Sequence, residues 1–512
     1  MKKKNSIFTI LFLFAFVSLC YLSVSYVKTN VGSDEKQKNI APNILSTPKS
    51  SGYDVTEKWN YTSDFEVNSV AVSADGRYVA VGVNRIDRRD GDPTHSIFFF
   101  NTSDHDGIPL WSWDFNSPIY SLAISADGRY IIAAVGQSMA FLFNSTVPEP
   151  GESKEYIWKV NWGIIGGNLN SVDISEDGKN IVLAGFVEIP GRIELYNNSY
   201  ASGFDKTGEF LWYYNTVFRV SSVAISADGK YVAVGTWYPM PRVAVPTIFF
   251  LNTTDYILRD FQMPMWSFDA GCSIDSIAIS ADGSYIVAGS DLGAIAYLFN
   301  STVPEPGEDK MEVWYYDWGE YISPVDISAD GKTIVIGSTD RENCYVNVYN
   351  NSYASSGLDK TNEYLWCYQT PSFINSVAIS ADGKYIVVGT DYIDNEDTIF
   401  LFNNTDIYGE EEHDPEWSFN TTGNDINSVS MSAWGNYIAA GGEYGINGRT
   451  YLFYHARPIP RIFYGNGGGG GGGSDDDGEE AIPFGNSYLL FTAIAVASLV
   501  IITKRKAIFS KK

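Results

Sequence analysis

From Ser69 to Gly82 the chain reads S-V-A-V-S-A-D-G-R-Y-V-A-V-G. An alternating apolar run meets a short polar turn and then a second alternating run. Alternation at period two predicts half-buried strands. In the turn, the Ser and Asp side chains are suited to bond nearby backbone, and Gly accepts a positive φ. The same pattern starts again near residues 121, 171, 222, 276, 324, 376 and 428. Its turn glycines stand at 76, 128, 178, 229, 283, 331, 383 and 435, spaced by 48 to 54 residues. Each unit adds a third apolar run, such as "TIFFLN" at 247–252, and a Trp-centred run, such as "LWYYNT" at 211–216.

Four short strands per unit and eight units predict an all-β fold. The expected architecture over 55–463 is an eight-bladed β-propeller of four-stranded blades. Trp59 precedes the first unit, and no Trp follows the last third-strand run, "TYLFYH" at 450–455. The N-terminal strand around Trp59 is therefore expected to complete the eighth blade, which removes open edges. The Trp series 59, 111, 158, 212, 266, 314, 366 and 417 keeps ten to thirteen residues from the inner-strand run that follows. These rings are expected to pack blade against blade; the competing reading is an exposed sugar-stacking series. The turn aspartates (Asp75, Asp127, Asp177, Asp228, Asp282, Asp330 and Asp382) read as turn formers. Asp173 and Asp326 replace the usual Ala of the inner strand and need hydrogen-bond partners if buried; a local bond is favoured over a place in the axial channel.

The S-x-D-G hairpin followed by an "LFN" strand resembles the WD-repeat family. The resemblance covers about 55–457 and implies a propeller. The Gly-His and Trp-Asp dipeptides of that family are missing, and with them its internal His–Ser–Trp–Asp set. The stretches "FDKTGEFLWYYNT" (204–216) and "LDKTNEYLWCYQT" (358–370) resemble pyrroloquinoline-quinone-type repeats. The quinone enzymes carry an adjacent Cys pair, which this chain lacks. A longer period is superimposed: "FNSTVPEPGE" occurs at 143–152 and 299–308, and "YNNSYAS" at 196–202 and 349–355. This is the mark of a duplicated three-blade block.

The ends change the picture of location. Residues 1–27 open with three lysines and an apolar run, as a signal peptide or signal anchor does. Residues 28–54 read as a polar linker, 464–481 as a Gly/acidic stalk, 482–504 as a transmembrane helix, and 505–512 as a basic cytoplasmic tail. This layout resembles the sorting tails of archaeal surface proteins. It places the protein at the cell membrane, with an extracellular body and a cytoplasmic C-terminus. The formal charge of −26 includes eight Lys and Arg at the extreme ends, so the body is more acidic still. Such a surface repels nucleic acid, and no nucleic-acid partner is expected. The cysteines Cys20, Cys272, Cys344 and Cys367 show no metal-ligand spacing, and any disulfide pairing of the last three stays open.

Nine N-x-S/T sequons begin at Asn60, Asn101, Asn144, Asn197, Asn252, Asn300, Asn350, Asn403 and Asn420. Seven of them fall at the exit of a third strand. They read both as glycan acceptors of an exported chain and as Asx turns. In four-stranded blades these exits share a face with the Ala-Asp-Gly turns. The opposite face carries the loops that diverge most: "NRIDRRDGDPTHS" at 84–96, "TWYPMPRVAVP" at 236–246 and "DYIDNEDT" at 391–398. A constant frame with divergent loops is how a scaffold carries binding. Trp237, Tyr238 and Arg242 are of the types found at hot spots. Asp87, Asp90 and Asp92, or Asp394, Glu396 and Asp397, offer oxygen ligands of the kind Ca²⁺ takes, without EF-hand spacing; solvated acidic loops are the favoured reading.

No catalytic motif stands out, and the four His (His95, His105, His413 and His455) are scattered. The expectation is a non-catalytic cell-surface scaffold that binds a protein or glycan partner and needs no cofactor. The alternatives are a quinone-binding or hydrolytic propeller enzyme and a structural surface-coat component.

Overall fold

The computed structural model describes residues 55–84, 95–150, 152–162, 167–186, 190–198, 208–237, 245–254, 260–290, 293–306, 308–317, 321–339, 343–351, 358–359, 364–405, 413–444 and 447–456. The expected signal segment, linker, stalk, transmembrane helix and tail lie outside them. So do Asp87, Asp90, Asp92, Tyr238 and Arg242.

Eight antiparallel sheets form the blades. Blade 1 runs outward through Glu66–Val72, Tyr78–Asn84, His95–Asn101 and Trp111–Phe115. Blades 2 to 7 repeat this order. Blade 8 takes Asp425–Met431, Tyr437–Tyr444 and Asn447–His455 from the C-terminal side of the chain and Val55–Ser63 from the N-terminal side. Trp59 pairs with Leu452, as the count of tryptophans requires.

The turns behave as their chemistry dictates. In blade 1 the Ser73 hydroxyl donates to Asp75 Oδ1 at 2.7 Å, and Asp75 Oδ1 accepts the Arg77 N–H at 3.0 Å. Six further blades repeat both bonds with their own Asp. The turn aspartates are thus turn formers. Blade 8 has Trp434 in place of Asp and keeps Gly435 at φ 72°. The turn glycines carry φ between 69° and 73°. They also seat on the preceding blade: a Cβ at Gly128 would stand 2.4 Å from the Tyr78 ring.

Blades are joined at two levels near the axis. Ser hydroxyls of one inner strand accept N–H groups of the next, as Ser171 Oγ does from Val223 at 3.2 Å and Ser428 Oγ from Val70 at 3.1 Å. At the turns, eight backbone bonds of 2.8–3.2 Å run from each blade to the following one. Further out, the Trp series is buried, from 0% exposed at Trp158, Trp212 and Trp366 to 5% at Trp59, Trp111 and Trp266. Each ring packs in the hydrophobic cluster at a blade boundary, which rules out the sugar-stacking reading.

Candidate functional site

Strand register fixes the two faces. Tyr78, which follows the turn of blade 1, pairs with Asn101 at the exit of the third strand, and the Thr102 N–H donates to the Arg77 carbonyl. Sequons and turns therefore share one face, as the sequence suggests. Seven sequon asparagines end third strands: Asn101, Asn144, Asn197, Asn252, Asn300, Asn350 and Asn403. Asn60 lies in the outer strand of blade 8, and Asn420 directly follows Trp417–Phe419. Asx turns are present at several. Asn101 Oδ1 accepts from the N–H and hydroxyl of Ser103, and Asn252 and Asn403 bond Thr254 and Thr405 in the same way. The middle residue of the sequon ties the exit to the turn: the Thr102 hydroxyl donates to the Gly76 carbonyl at 2.6 Å, and Asn351 Nδ2 to that of Gly331 at 3.0 Å. This face is knitted together by its own side chains.

The opposite face is different. Second strands end there and inner strands begin there. Large apolar side chains stand exposed: Trp237, Tyr321, Phe373 and Ile393. Trp237 is 40% exposed and Phe373 55%, against no more than 5% for any of the blade tryptophans named above. Under Trp237 lies Arg219, its guanidinium 4.2 Å over Phe186 and 5.9 Å from the Trp237 ring. Backbone bonds hold these positions: the Trp237 N–H donates to the Arg219 carbonyl at 2.8 Å, and in blade 7 the Asp391 N–H donates to Phe373 at 3.0 Å. Flat aromatic and guanidinium groups on rigid backbone lose little freedom on binding.

The same face is acidic across blades 7, 8 and 1. Burial, followed by the nearby Glu443 carboxylate, pushes Glu66 up to about 7. Burial and then the Asp425 and Asp391 charges raise Glu443. Asn427 Nδ2 donates to Glu66 Oε1 at 3.2 Å, and Asp425 Oδ1 accepts the Tyr392 N–H at 2.7 Å. In the loop beyond, Asp394 and Glu396 are exposed, whereas Asp397 Oδ2 accepts the Ser418 hydroxyl at 2.5 Å. Among the described residues no group of three or more His, Cys, Asp or Glu is arranged to hold a metal ion.

Asp173 and Asp326 bond across blade boundaries. Asp173 accepts from its neighbour Ile174 at 2.8 Å and from Ile225 of the next blade at 2.9 Å. Asp326 does the same with Ile327 and Ile379. Burial raises both to about 6, and the backbone donors pull the other way. In blade 8 Ser430 takes the same place and accepts from Val72 at 3.1 Å.

The sequence reading missed the residue four before each blade Trp. Lys154 lies 4.7 Å over Trp111 of the preceding blade, and Lys310 lies 4.8 Å over Trp266. Burial lowers both ammonium groups to about 8. His413 sits over Trp366 in the same way, with ring centroids 4.9 Å apart. A constant offset from Trp was the available signal. Cys272, Cys344 and Cys367 form no disulfide with one another.

No protein-family profile matches the chain, and no curated protein sequence does. Among solved structures, Chaetomium thermophilum Sqt1, crystallised bound to the N-terminus of the ribosomal protein L10, superposes with a TM-score of 0.55 at 13% identity. The match covers 80% of this chain and 100% of that one. The propeller domain of Myceliophteria thermophila Cps50 (Swd1) superposes at a TM-score of 0.44 and 11% identity, over 80% of this chain and 99% of that one. At such identities a likeness speaks to fold alone. The fold is that of a WD-repeat-like β-propeller, with eight blades.

Proposed function

We propose that the protein is a non-catalytic scaffold at the cell surface, tethered by the apolar segment 482–504, which binds a protein or glycan partner through the face opposite the Ala-Asp-Gly turns. The observation that carries this reading is the exposed set Trp237, Phe373, Tyr321 and Ile393 on that face. Trp237 belongs to blade 4, Tyr321 to blade 6, and Phe373 and Ile393 to blade 7, so large anchor side chains of the kind that carry binding energy are spread around this face. The acidic side of the face adds steering toward a basic patch. Sqt1 holds a segment of a protein partner, and that precedent favours a protein over a glycan. The knitted face is then the place for glycans at the seven third-strand sequons, whereas Asn420 donates to the Glu396 carbonyl at 2.6 Å on the open face.

The test is chemical crosslinking on intact cells, followed by mass spectrometry of peptides from the propeller. Crosslinks from the loops around Trp237 and Ile393 to one other protein support the proposal. Crosslinks mainly between copies of this chain make it a coat component instead.

A further inference from the structure

In blades 2, 4, 5, 6 and 7, described residues between the third and fourth strands lie against the outer strand of the blade before. They do so in different ways around the ring. On blade 3 it adds a fifth strand: Asp260–Phe261 pairs in parallel with Trp212 and Tyr213, and the Gln262 N–H donates to the Tyr213 carbonyl at 2.8 Å. On blade 5, Leu358–Asp359 pairs in parallel with Trp314 and Tyr315. On blade 1 the sheet ends at Trp111–Phe115, with no fifth strand among the described residues. Here the returning segment stands off. A cleft of about 680 Å³ lies between the outer strand and the residues Pro148–Pro150 and Glu152–Lys154.

The lining has a definite chemistry. Leu110, Trp113, Pro148 and Pro150 give it apolar walls. Trp113 is half-buried and held edge-on against Tyr156, with centroids 5.8 Å apart. Lys154 is the one cation of the lining, and it is already engaged. Its ammonium covers Trp111 and donates to Asn144 Oδ1 and the Thr146 carbonyl, both at 2.6 Å. The other charges are Asp114, Glu149 and Glu152, all exposed. An unpaired strand edge beside a cleft is a template for one more strand.

We infer that the free edge of Trp111–Phe115 takes an extended, basic peptide segment of a partner protein as a fifth, parallel strand. The chain's own segments at blades 3 and 5 show the geometry such a strand adopts. Ser112 is the counterpart of Tyr213, so its carbonyl is the acceptor for the incoming amide. A Lys or Arg of the peptide then lies against Trp113 among Asp114, Glu149 and Glu152, where an aromatic face and three carboxylates favour a cation. This site is on the rim of the disc, and it stands or falls independently of the open face.

The experiment uses the full-length protein and three short fluorescein-labelled peptides. The first alternates arginine and valine. The second is the same peptide with alternate backbone nitrogens methylated, and the third replaces arginine with glutamate. The first is expected to bind and to slow amide exchange at residues 111–115. The other two are expected to bind at least about tenfold more weakly, through lost backbone bonds or reversed charge. The double variant Glu149→Gln, Glu152→Gln changes only exposed loop groups and is expected to weaken the first peptide by roughly threefold to tenfold. Trp237→Ala is expected to leave it unchanged. Equal binding of the methylated peptide, protection of some other strand, or no binding at all overturns the inference.

Discussion

The Ala433 N–H donates to the Ala74 carbonyl at 3.0 Å, and this contact joins the last blade to the first. It completes a set of eight bonds in which the turn of every blade is tied to the next. The outer strand Val55–Ser63 closes the ring a second way: it pairs with Asn447–His455 inside blade 8 and leads directly into Glu66–Val72 of blade 1. One face of the disc is therefore a closed hydrogen-bonded ring, and the freedom to vary is left to the other.

Ring closure without a covalent link rests on Trp59. Its side chain is 5% exposed and packs 4.8 Å from Phe100 of blade 1. Trp59→Ala is expected to destabilise the propeller by about 3–5 kcal/mol, read as a lower midpoint in urea. Deleting 55–63 is expected to expose the edge of Asn447–His455 and to produce aggregation. A monomeric deletion variant with an unchanged midpoint would falsify this account of closure.

Turn glycine and turn aspartate should differ in weight. Gly283→Ala places a Cβ at φ 73° and 2.4 Å from the Tyr231 ring, so strain and overlap add. A loss of about 2–4 kcal/mol is expected. Asp282→Ala removes bonds at a partly exposed turn and is expected to cost about 1 kcal/mol. Blade 8, with Trp434 in the Asp position, already folds without that carboxylate. Thermal melts of the two variants side by side decide the order.

Much of this was legible because it is local and periodic. The Ser-Ala-Asp-Gly turn names its own hydrogen bonds, and counting tryptophans assigns Trp59 to the last blade. Contacts between blades were less so. Asp173 finds Ile225 some fifty residues away, and only the blade-to-blade register brings them together. Each of Asp173 and Asp326 bonds the N–H of its own neighbour and one of the next blade, and no local pattern names the second partner. Lys154 and Lys310 sit in loops, where no alternation marks a buried side chain; only their constant offset of four residues before Trp158 and Trp314 distinguishes them. The binding face was chosen from divergent loops. Trp237, Ile393, Asp394 and Glu396 are exposed, whereas Thr398 is buried; Tyr238, Arg242 and the acids at 87–92 lie outside the described residues.

The half-buried inner-strand carboxylates predict a pH dependence. Asp173 and Asp326 rise from 3.8 to about 6 on folding. Between those values the folded state holds more protons than the unfolded chain, so stability falls as pH rises through that window. Asp173→Ser copies the arrangement of Ser430 and keeps a hydroxyl to accept from Ile225. The variant is expected to flatten the slope between pH 4 and 6 without losing the fold. An unchanged slope in urea midpoints across that range would contradict the assignment.

Blade 3 contains a buried ion pair that its duplicate, blade 6, has lost. Glu194 is 4% exposed; it accepts from Arg192 Nε and from the Tyr196 hydroxyl, both at 2.6 Å. Asn347 stands at the matching place in blade 6 and donates to Ser338 at 2.8 Å. Glu194→Ala leaves a cation and a hydroxyl without their acceptor and is expected to cost about 3–5 kcal/mol. Glu194→Gln should cost less, because one acceptor oxygen remains. Equal midpoints for the two variants would mean that the charge is decisive and the hydrogen bonds are not.

The most direct measurement compares crosslinking on intact cells between the native chain and the double variant Trp237→Ala, Phe373→Ala. Both side chains are exposed, so the variant should melt with the native protein. The account predicts that it reaches the surface in normal amount and loses its partner crosslinks by about tenfold or more. Full retention of those crosslinks, in a variant shown to be folded and displayed, would contradict the claim that this face is where the propeller binds.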